Sequence, residues 1–369
     1  MKIFKLGLGL AFPLVALCIF TAVDATPVAI EQQRIIIDTD LGGCVDDIFA
    51  IDLAARMHRA GKLNLMAVMM NRPDRSDPDK KGEFLKFADR YLASLGLGDL
   101  PIGTSTPLAE GRQSRVFTPY WTLIHSNSLT GVGALLPTNR ADEVLGALTN
   151  AVTLYRRLLA DAPDHSVVIC SIGFLNNLKA LMESGANEAG DGIAQTGMEL
   201  IAAKVKELRV MGGCFDGTAT YDDKNGVEYN VGGDPRAAKK VFESWPSPIV
   251  CTPWEIGVKL VYNPRWADTD FPTGTLNPVI RATYLIWQQR GGFSLDGLWD
   301  PMTVLPLVDG DAVAPLSAKG GIAVDGEGHT VFAEEPPGNR RYQIGEGFPS
   351  SAAMDRLRRI FRETEGEAK

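Results

Sequence analysis

Histidine is scarce in this chain: four in 369 residues. His58, His125, His165 and His329 do not pair at the short spacings of a zinc site. Five cysteines occur, with no CxxC among them, and HExxH is absent. Thioredoxin-like redox chemistry and zincin-type hydrolysis therefore have no motif to rest on. Positive charge is also sparse. Against 45 Asp and Glu there are 37 Lys and Arg, a net charge of −8, with no basic cluster. That balance argues against binding nucleic acid. Leu6 to Phe20 is apolar but short for a membrane span.

That apolar stretch has a different reading. Lys2 and Lys5 precede it, and the small residues of Val23-Asp24-Ala25 follow it. Positive start, apolar middle and small cleavage residues make a secretory signal peptide over residues 1–25. The expectation is a secreted or periplasmic protein without a stable membrane anchor, its catalytic domain spanning 26–369. Cys44, Cys170, Cys214 and Cys251 remain after cleavage. An even count in a secreted chain permits disulfides. The last three each sit in or just after an apolar run, which small buried thiols explain equally well.

The apolar fraction, 45%, is enough for a large core. Short apolar runs read as strands: Ile35–Asp38, Leu65–Met70, Val167–Ser171, Leu208–Met211 and Ile249–Thr252. Between and after them lie helical patterns at Asp46–Ala60, Gly82–Leu95, Asp142–Leu159, Leu175–Glu183, Asp234–Phe242 and Pro278–Gln289. Gly61 and Gly96 close two of these helices. The alternation predicts an α/β fold, a mainly parallel sheet with helices on both faces. There is no internal repeat or long linker, so one domain is expected. Gly321–Phe332, with Asp325-Gly326 in its middle, reads as a late hairpin, and Ser351–Thr364 as a terminal amphipathic helix.

The chemistry concentrates in Asp38-Thr39-Asp40-Leu41-Gly42-Gly43-Cys44-Val45-Asp46-Asp47. It places four carboxylates on a strand-to-helix loop, at the carboxyl end of a strand where open α/β sheets bind ligands. Four such acids repel one another, and a hard divalent cation with oxygen ligands resolves the conflict. Taken singly, each acid has an ordinary role. Asp46 and Asp47 open a helix, where acids suit the dipole. Asp300 before Pro301 is a common helix start. Asn230 and Asp234 suit a turn and an N-cap, Glu228 a solvated surface, and Asn176 and Asn177 a turn and cap. Asp38 accepts backbone hydrogen bonds beside the site.

The ordered set of motifs weighs against those separate roles. Asp38 to Asp47 resembles the long-loop DTDxGxDxDD signature of the inosine/uridine-preferring nucleoside hydrolases, departing from it at Cys44. Val68-Met69-Met70-Asn71 resembles that family's second strand, and Ser171-Ile172-Gly173-Phe174-Leu175-Asn176-Asn177-Leu178 its xGPLTNL segment. Met211-Gly212-Gly213, Glu228-Tyr229-Asn230 with Asp234-Pro235, and Trp299-Asp300-Pro301 resemble its later motifs.

The resemblance implies a Rossmann-like nucleoside hydrolase fold and Ca²⁺-dependent cleavage of ribonucleosides through an oxocarbenium-like transition state. It implies Asp40, Asp47, Asp300 and the Ile172 main-chain carbonyl as Ca²⁺ ligands. Asp40 is also the implied general base. Asp46 and Asn71 bind the 2′-hydroxyl side and the water, Glu228 and Asn230 the 5′- and 3′-hydroxyls, and Met211 packs on the sugar. Trp299 stands where some members carry a leaving-group histidine, and stacking on the base is its expected role, packing in the core its plain one. Tyr120, Trp121 and His125 are placed on a loop that closes over the base, and Trp254-Glu255 along the pocket. A dimer or tetramer is implied. Two other readings remain. Cys44 and the missing histidine suit a degenerate homologue that binds nucleoside or ribose without cleaving it. Asp38-Thr39-Asp40 superficially resembles the start of haloacid-dehalogenase-like phosphatases, but the later motifs do not fit them.

Overall fold

Ile35, Ile36 and Ile37 lie in a strand covered on both faces, and all three are fully buried. That is why the run is continuous rather than alternating. The computed structural model describes residues 32–41, 46–71, 83–104, 136, 139–221, 224–263, 266–270, 297–334 and 338–363. Its strands are β1 (Gln33–Thr39), β2 (Leu63–Met70), β3 (Ile102–Gly103), β4 (Val167–Ile172), β5 (Val205–Met211), β6 (Thr220–Tyr221), β7 (Lys224–Asn225), β8 (Ile249–Thr252), β9 (Gly321–Val324), β10 (Thr330–Ala333) and β11 (Arg340–Tyr342). Seven of them form one sheet in the order β11-β8-β5-β4-β1-β2-β3, and every pairing in it is parallel.

The pleat sends neighbouring side chains to opposite faces. Ile35, Ile37, Val68, Met70, Val168 and Cys170 join one core. Ile36, Ala67, Met69, Val167 and Ile169 join the other. Helices Asp46–Arg59, Glu83–Ser94 and Ser350–Glu363 cover the first. Ala151–Asp161, Asn176–Glu183, Gly197–Lys204 and Pro235–Ser244 cover the second.

The order of strands places the site. From β1 the sheet grows through β2 to β3, and then β4 returns to the opposite side of β1 and growth reverses. A crevice opens outside the carboxyl ends of strands at such a reversal. Thr39, the last residue of β1, stands in register with Met70 and with Ile172, the last residues of β2 and β4. Met211 stands beside Thr252 at the ends of β5 and β8.

Several boundaries differ from the sequence expectation. The helix expected over Asp142–Leu159 is two, Asp142–Gly146 and Ala151–Asp161. Asn150 interrupts it by accepting Val152 N–H as an N-cap, 2.8 Å away, while bridging to Thr104. Gly197–Lys204 was not foreseen, although Thr196 and Glu199 form a capping box at its start. Gly61 and Gly96 do close their helices, at φ +70° and +76°. The late hairpin is β9 paired antiparallel with β10. Its connection is pinned by Asp325, whose Oδ1 accepts N–H from Glu327, Gly328 and His329. Cys170, Cys214 and Cys251 are free buried thiols.

No helix among the described residues is long and apolar enough to cross a membrane. The expected leader, Cys44, the loop with Tyr120, Trp121 and His125, and the helix Pro278–Gln289 lie outside the described residues.

Candidate active site

β1 ends on the first half of the acid motif. Asp38 is fully buried and takes side-chain rather than backbone donors. Asn71 Nδ2 donates to it at 2.6 Å and the Tyr155 hydroxyl at 2.7 Å. Asn177 Nδ2 lies 3.3 Å from both of its oxygens. Asn71, just past β2, is held from two more sides. Its N–H reaches the Thr39 carbonyl at 2.8 Å, and its Oδ1 accepts Phe174 N–H at 3.2 Å. Gly173 makes this convergence sterically possible. A Cβ there would stand 2.6 Å from both the Asp40 nitrogen and Asn71 Oδ1.

The second half of the motif opens helix Asp46–Arg59, and its acids reach outward. The Thr39 hydroxyl donates to Asp47 Oδ1. Asp46 Oδ2 accepts Trp299 N–H at 3.2 Å and Asp300 N–H at 3.5 Å. Asp46 thus clamps a segment some 250 residues away onto the helix start. Asp46, Asp47 and Asp300 are all buried, each with a carboxylate oxygen within 4.8 Å of the others'. Burial pushes the Asp300 carboxyl well above its usual range, and the charges of Asp46, Asp47, Asp40 and Glu228 push it further. An all-oxygen donor set under mutual repulsion fits a hard divalent cation. Asp40, 4% exposed, sits among these groups: its charge also raises Asp38 and Glu228.

The far wall comes from β5 and the segment after β7. Glu228 is buried and caps the short helix Tyr229–Gly233. It accepts N–H from Asn230 at 2.8 Å, Val231 at 3.1 Å and Gly213 at 3.2 Å. Asn230 Nδ2 donates to the Met211 carbonyl and lies 3.0 Å from Met211 Sδ. Asp234 caps helix Pro235–Ser244 through Ala237 N–H. Trp299 is 5% exposed. Its indole N–H donates to the Trp254 carbonyl at 2.9 Å and its ring stacks on Trp254 at 5.1 Å. Gly257 and Gly297 lie against that ring, where a Cβ would approach within 2.0 and 2.7 Å. Glu255 Oε1 accepts Phe215 N–H at 3.2 Å.

The structure therefore gathers Asp40, Asp46, Asp47, Asn71, Ile172, Met211, Glu228, Asn230 and Asp300 at one edge of the sheet. Tyr155 and Asn177 belong to the same network and were not singled out as functional from sequence. The Asx residue at 177 read as a cap, and Tyr155 sits on an apolar helix face.

Burial, partly offset by hydrogen bonds, lifts Asp38, Glu228 and Glu255 to about 7. Together with Asp300, these acids hold protons in the folded chain at pH values where the unfolded chain has lost them. Stability from such groups falls as pH rises from about 4 through 7. Asp191, Glu199 and Asp325, held low by their hydrogen bonds, act below that window. The chelated protein is therefore expected to melt at a higher temperature at pH 5 than at pH 8. A calorimetric melting temperature that rises over that interval would overturn this reading.

The profile of the inosine-uridine preferring nucleoside hydrolases matches residues 35–347. No curated protein matches the chain by sequence. Among solved structures, a plant nucleoside hydrolase is 19% identical with a TM-score of 0.65, covering 90% of this chain and 99% of its own. The purine-preferring ribonucleoside hydrolase of Gardnerella vaginalis is 17% identical with a TM-score of 0.67, covering 91% and 100%. The inosine-uridine preferring nucleoside hydrolase of Bacillus anthracis is 16% identical with a TM-score of 0.65, covering 90% and 99%.

Proposed function

Because the chain belongs to the inosine-uridine preferring nucleoside hydrolase family and is thereby a hydrolase of N-glycosyl compounds, we propose that it cleaves ribonucleosides to ribose and free base with Ca²⁺ held at its acid cluster. The observation that carries this reading is the convergence of Asp46, Asp47 and Asp300 at the reversal of strand order. Asp40, Asp47, Asp300 and the Ile172 carbonyl would hold the ion. Bound there, the ion would supply charge that orients a water and the ribose hydroxyls and lowers that water's pKa.

The chain's own groups do the rest. Asp40 takes the proton as the water oxygen attacks the anomeric carbon. The N-glycosidic bond breaks, its electron pair leaves on the base nitrogen, and that nitrogen takes up a proton. Asn71 is suited to aligning the water and the 2′-hydroxyl side, because Asp38, Phe174 and Thr39 fix its amide and backbone. Asp46 holds the Trp299–Asp300 segment in place and faces the same side. Glu228 and Asn230 bind the 5′- and 3′-hydroxyls, and Met211 packs on the sugar. Trp299 keeps little exposed surface, so its part in base recognition runs through the half-buried Trp254 stacked on it. The base is then protonated from solvent. We further assign residues 1–25 as a signal peptide, 26–369 as the catalytic domain, a secreted or periplasmic location, and a homo-oligomer in solution.

The test is ribose release from inosine, adenosine, guanosine, uridine and cytidine, after chelation and again with Ca²⁺ restored. Release only with Ca²⁺ is expected. No release from any of them despite bound Ca²⁺ would leave a nucleoside-binding protein instead.

A further inference from the structure

The loops that follow β5 and β8 adjoin because those strands are neighbours, and Trp254 N–H donates to the Gly213 carbonyl at 2.9 Å. Where they meet, three side chains outside the acid cluster converge. Cys214 Sγ, a carboxylate oxygen of Asp216 and one of Glu255 lie within 4.8 Å of one another. Glu255 is 5% exposed. Its Oε1 accepts Phe215 N–H at 3.2 Å, whereas its Oε2 is buried without a hydrogen-bond partner. A buried carboxylate oxygen left so is costly, and a bound cation removes the cost.

Burial and the charges of Asp216 and Glu255 keep the Cys214 thiol protonated, and a bound cation would offset those charges and take the thiolate. Ala219 N–H points at Cys214 Sγ from 3.3 Å, the kind of outer donor that orients a metal-bound sulfur. Thr330 Oγ1 bonds both the N–H and the carbonyl of Cys214, at 2.8 and 3.0 Å. Phe215 packs on Phe332 and Tyr342, which anchors the loop. Asp216 Oδ1 accepts Thr218 N–H and hydroxyl and, at 3.4 Å, the Cys214 S–H that a cation would displace. Ligand atoms around one ion, with bonds of about 2.0–2.3 Å, stand roughly 3.5 Å apart, so small side-chain rotations complete the set.

We propose that Cys214, Asp216 and Glu255 form a second cation site, one that takes a borderline divalent ion of the Zn²⁺ class. One sulfur and two carboxylates select such an ion over Ca²⁺, which prefers the all-oxygen cluster. Binding replaces the S–H bond by an S–metal bond and releases that proton to solvent. Lys259, whose positive charge acts on Asp216 and Glu255, is tied to the Gly345 carbonyl and limits the affinity.

Co²⁺ is the probe, because a Co²⁺–thiolate bond absorbs in the near ultraviolet. The full chain, saturated with Ca²⁺, is titrated with Co²⁺. A charge-transfer band is expected to saturate at one equivalent and to disappear when Zn²⁺ is added. Cys214→Ser removes it, Glu255→Gln weakens Co²⁺ binding by about tenfold or more, and Cys44→Ser leaves it intact. Asp216→Asn serves with Glu255→Gln if the serine variant does not fold. No band up to millimolar Co²⁺, or a band that survives Cys214→Ser, overturns the proposal. Ribose release is measured separately under Ca²⁺, so either reading can fail without the other.

Discussion

Asp300→Asn is expected to stabilise the calcium-free protein while abolishing both its stabilisation by Ca²⁺ and its ribose release. Asp300 is buried, and the charges of Asp46, Asp47, Asp40 and Glu228 all act against its ionisation. Without a cation the folded chain either bears the repulsion or holds a proton there, and both cost free energy relative to the unfolded state. Asparagine keeps the size and removes the charge, so the metal-free form should gain about 1–3 kcal/mol, read as a rise of several degrees in a calorimetric melt with chelator. With Ca²⁺ the order reverses. Saturation at a hundred times Kd adds about 2.7 kcal/mol to a protein that binds only when folded, and the variant, short of one anionic ligand, should lose most of that gain. A function-for-stability exchange of this kind separates a metal ligand from a structural acid. If Asp300→Asn lowers the melting temperature in chelator, the carboxylate is supporting the fold itself.

The segment 299–300 also shows where sequence reading succeeds and where it stops. The acid motif was legible because its chemistry is local: β1, a loop and a helix start lie within ten residues, and the alternation of runs implies that such a loop sits at a strand's carboxyl end. The alternation also carried the parallel sheet. Two partners of that motif were not legible from the chain alone. Tyr155 and Asn177 reach Asp38 from 117 and 139 residues away, and nothing in their neighbourhoods distinguishes them from a core tyrosine and a helix-cap asparagine. Trp299 shows the same limit. Its ring packs flat because Gly257 and Gly297 leave room for it, a relation between three distant positions. Glu255 was expected along the pocket, since it follows β8 directly. The helix turn at Trp254–Gly257 brings it beside Cys214 and Asp216. The break at Asn150 is hidden in the sequence because apolar periodicity continues across it, whereas the capping box Thr196–Glu199 is a readable helix start.

The largest loss of activity is expected from Asp40→Asn. Asp40 raises Asp38, Glu228 and Asp300 through its charge, so it stands where the acid network and the wall bearing Glu228 meet. Gly173 lets the Asp40 backbone pack closely against the β4 end, since a Cβ there would stand 2.6 Å from the Asp40 nitrogen. A positioned proton acceptor contributes about 10²–10⁴-fold in rate, and a residue that also helps hold the ion contributes at both steps. Asparagine retains an oxygen donor but cannot take the proton. The variant should therefore keep measurable Ca²⁺ binding by calorimetric titration while ribose release falls by about a thousandfold or more. The split between binding and turnover identifies the role. Loss of Ca²⁺ binding in step with activity would make Asp40 a ligand first, and rescue of Asp40→Asn to full rate by added Ca²⁺ would remove it as the base. Near-normal turnover in a folded Asp40→Asn protein would end the mechanism proposed here, because no other described carboxylate both borders the cluster and lies directly after β1.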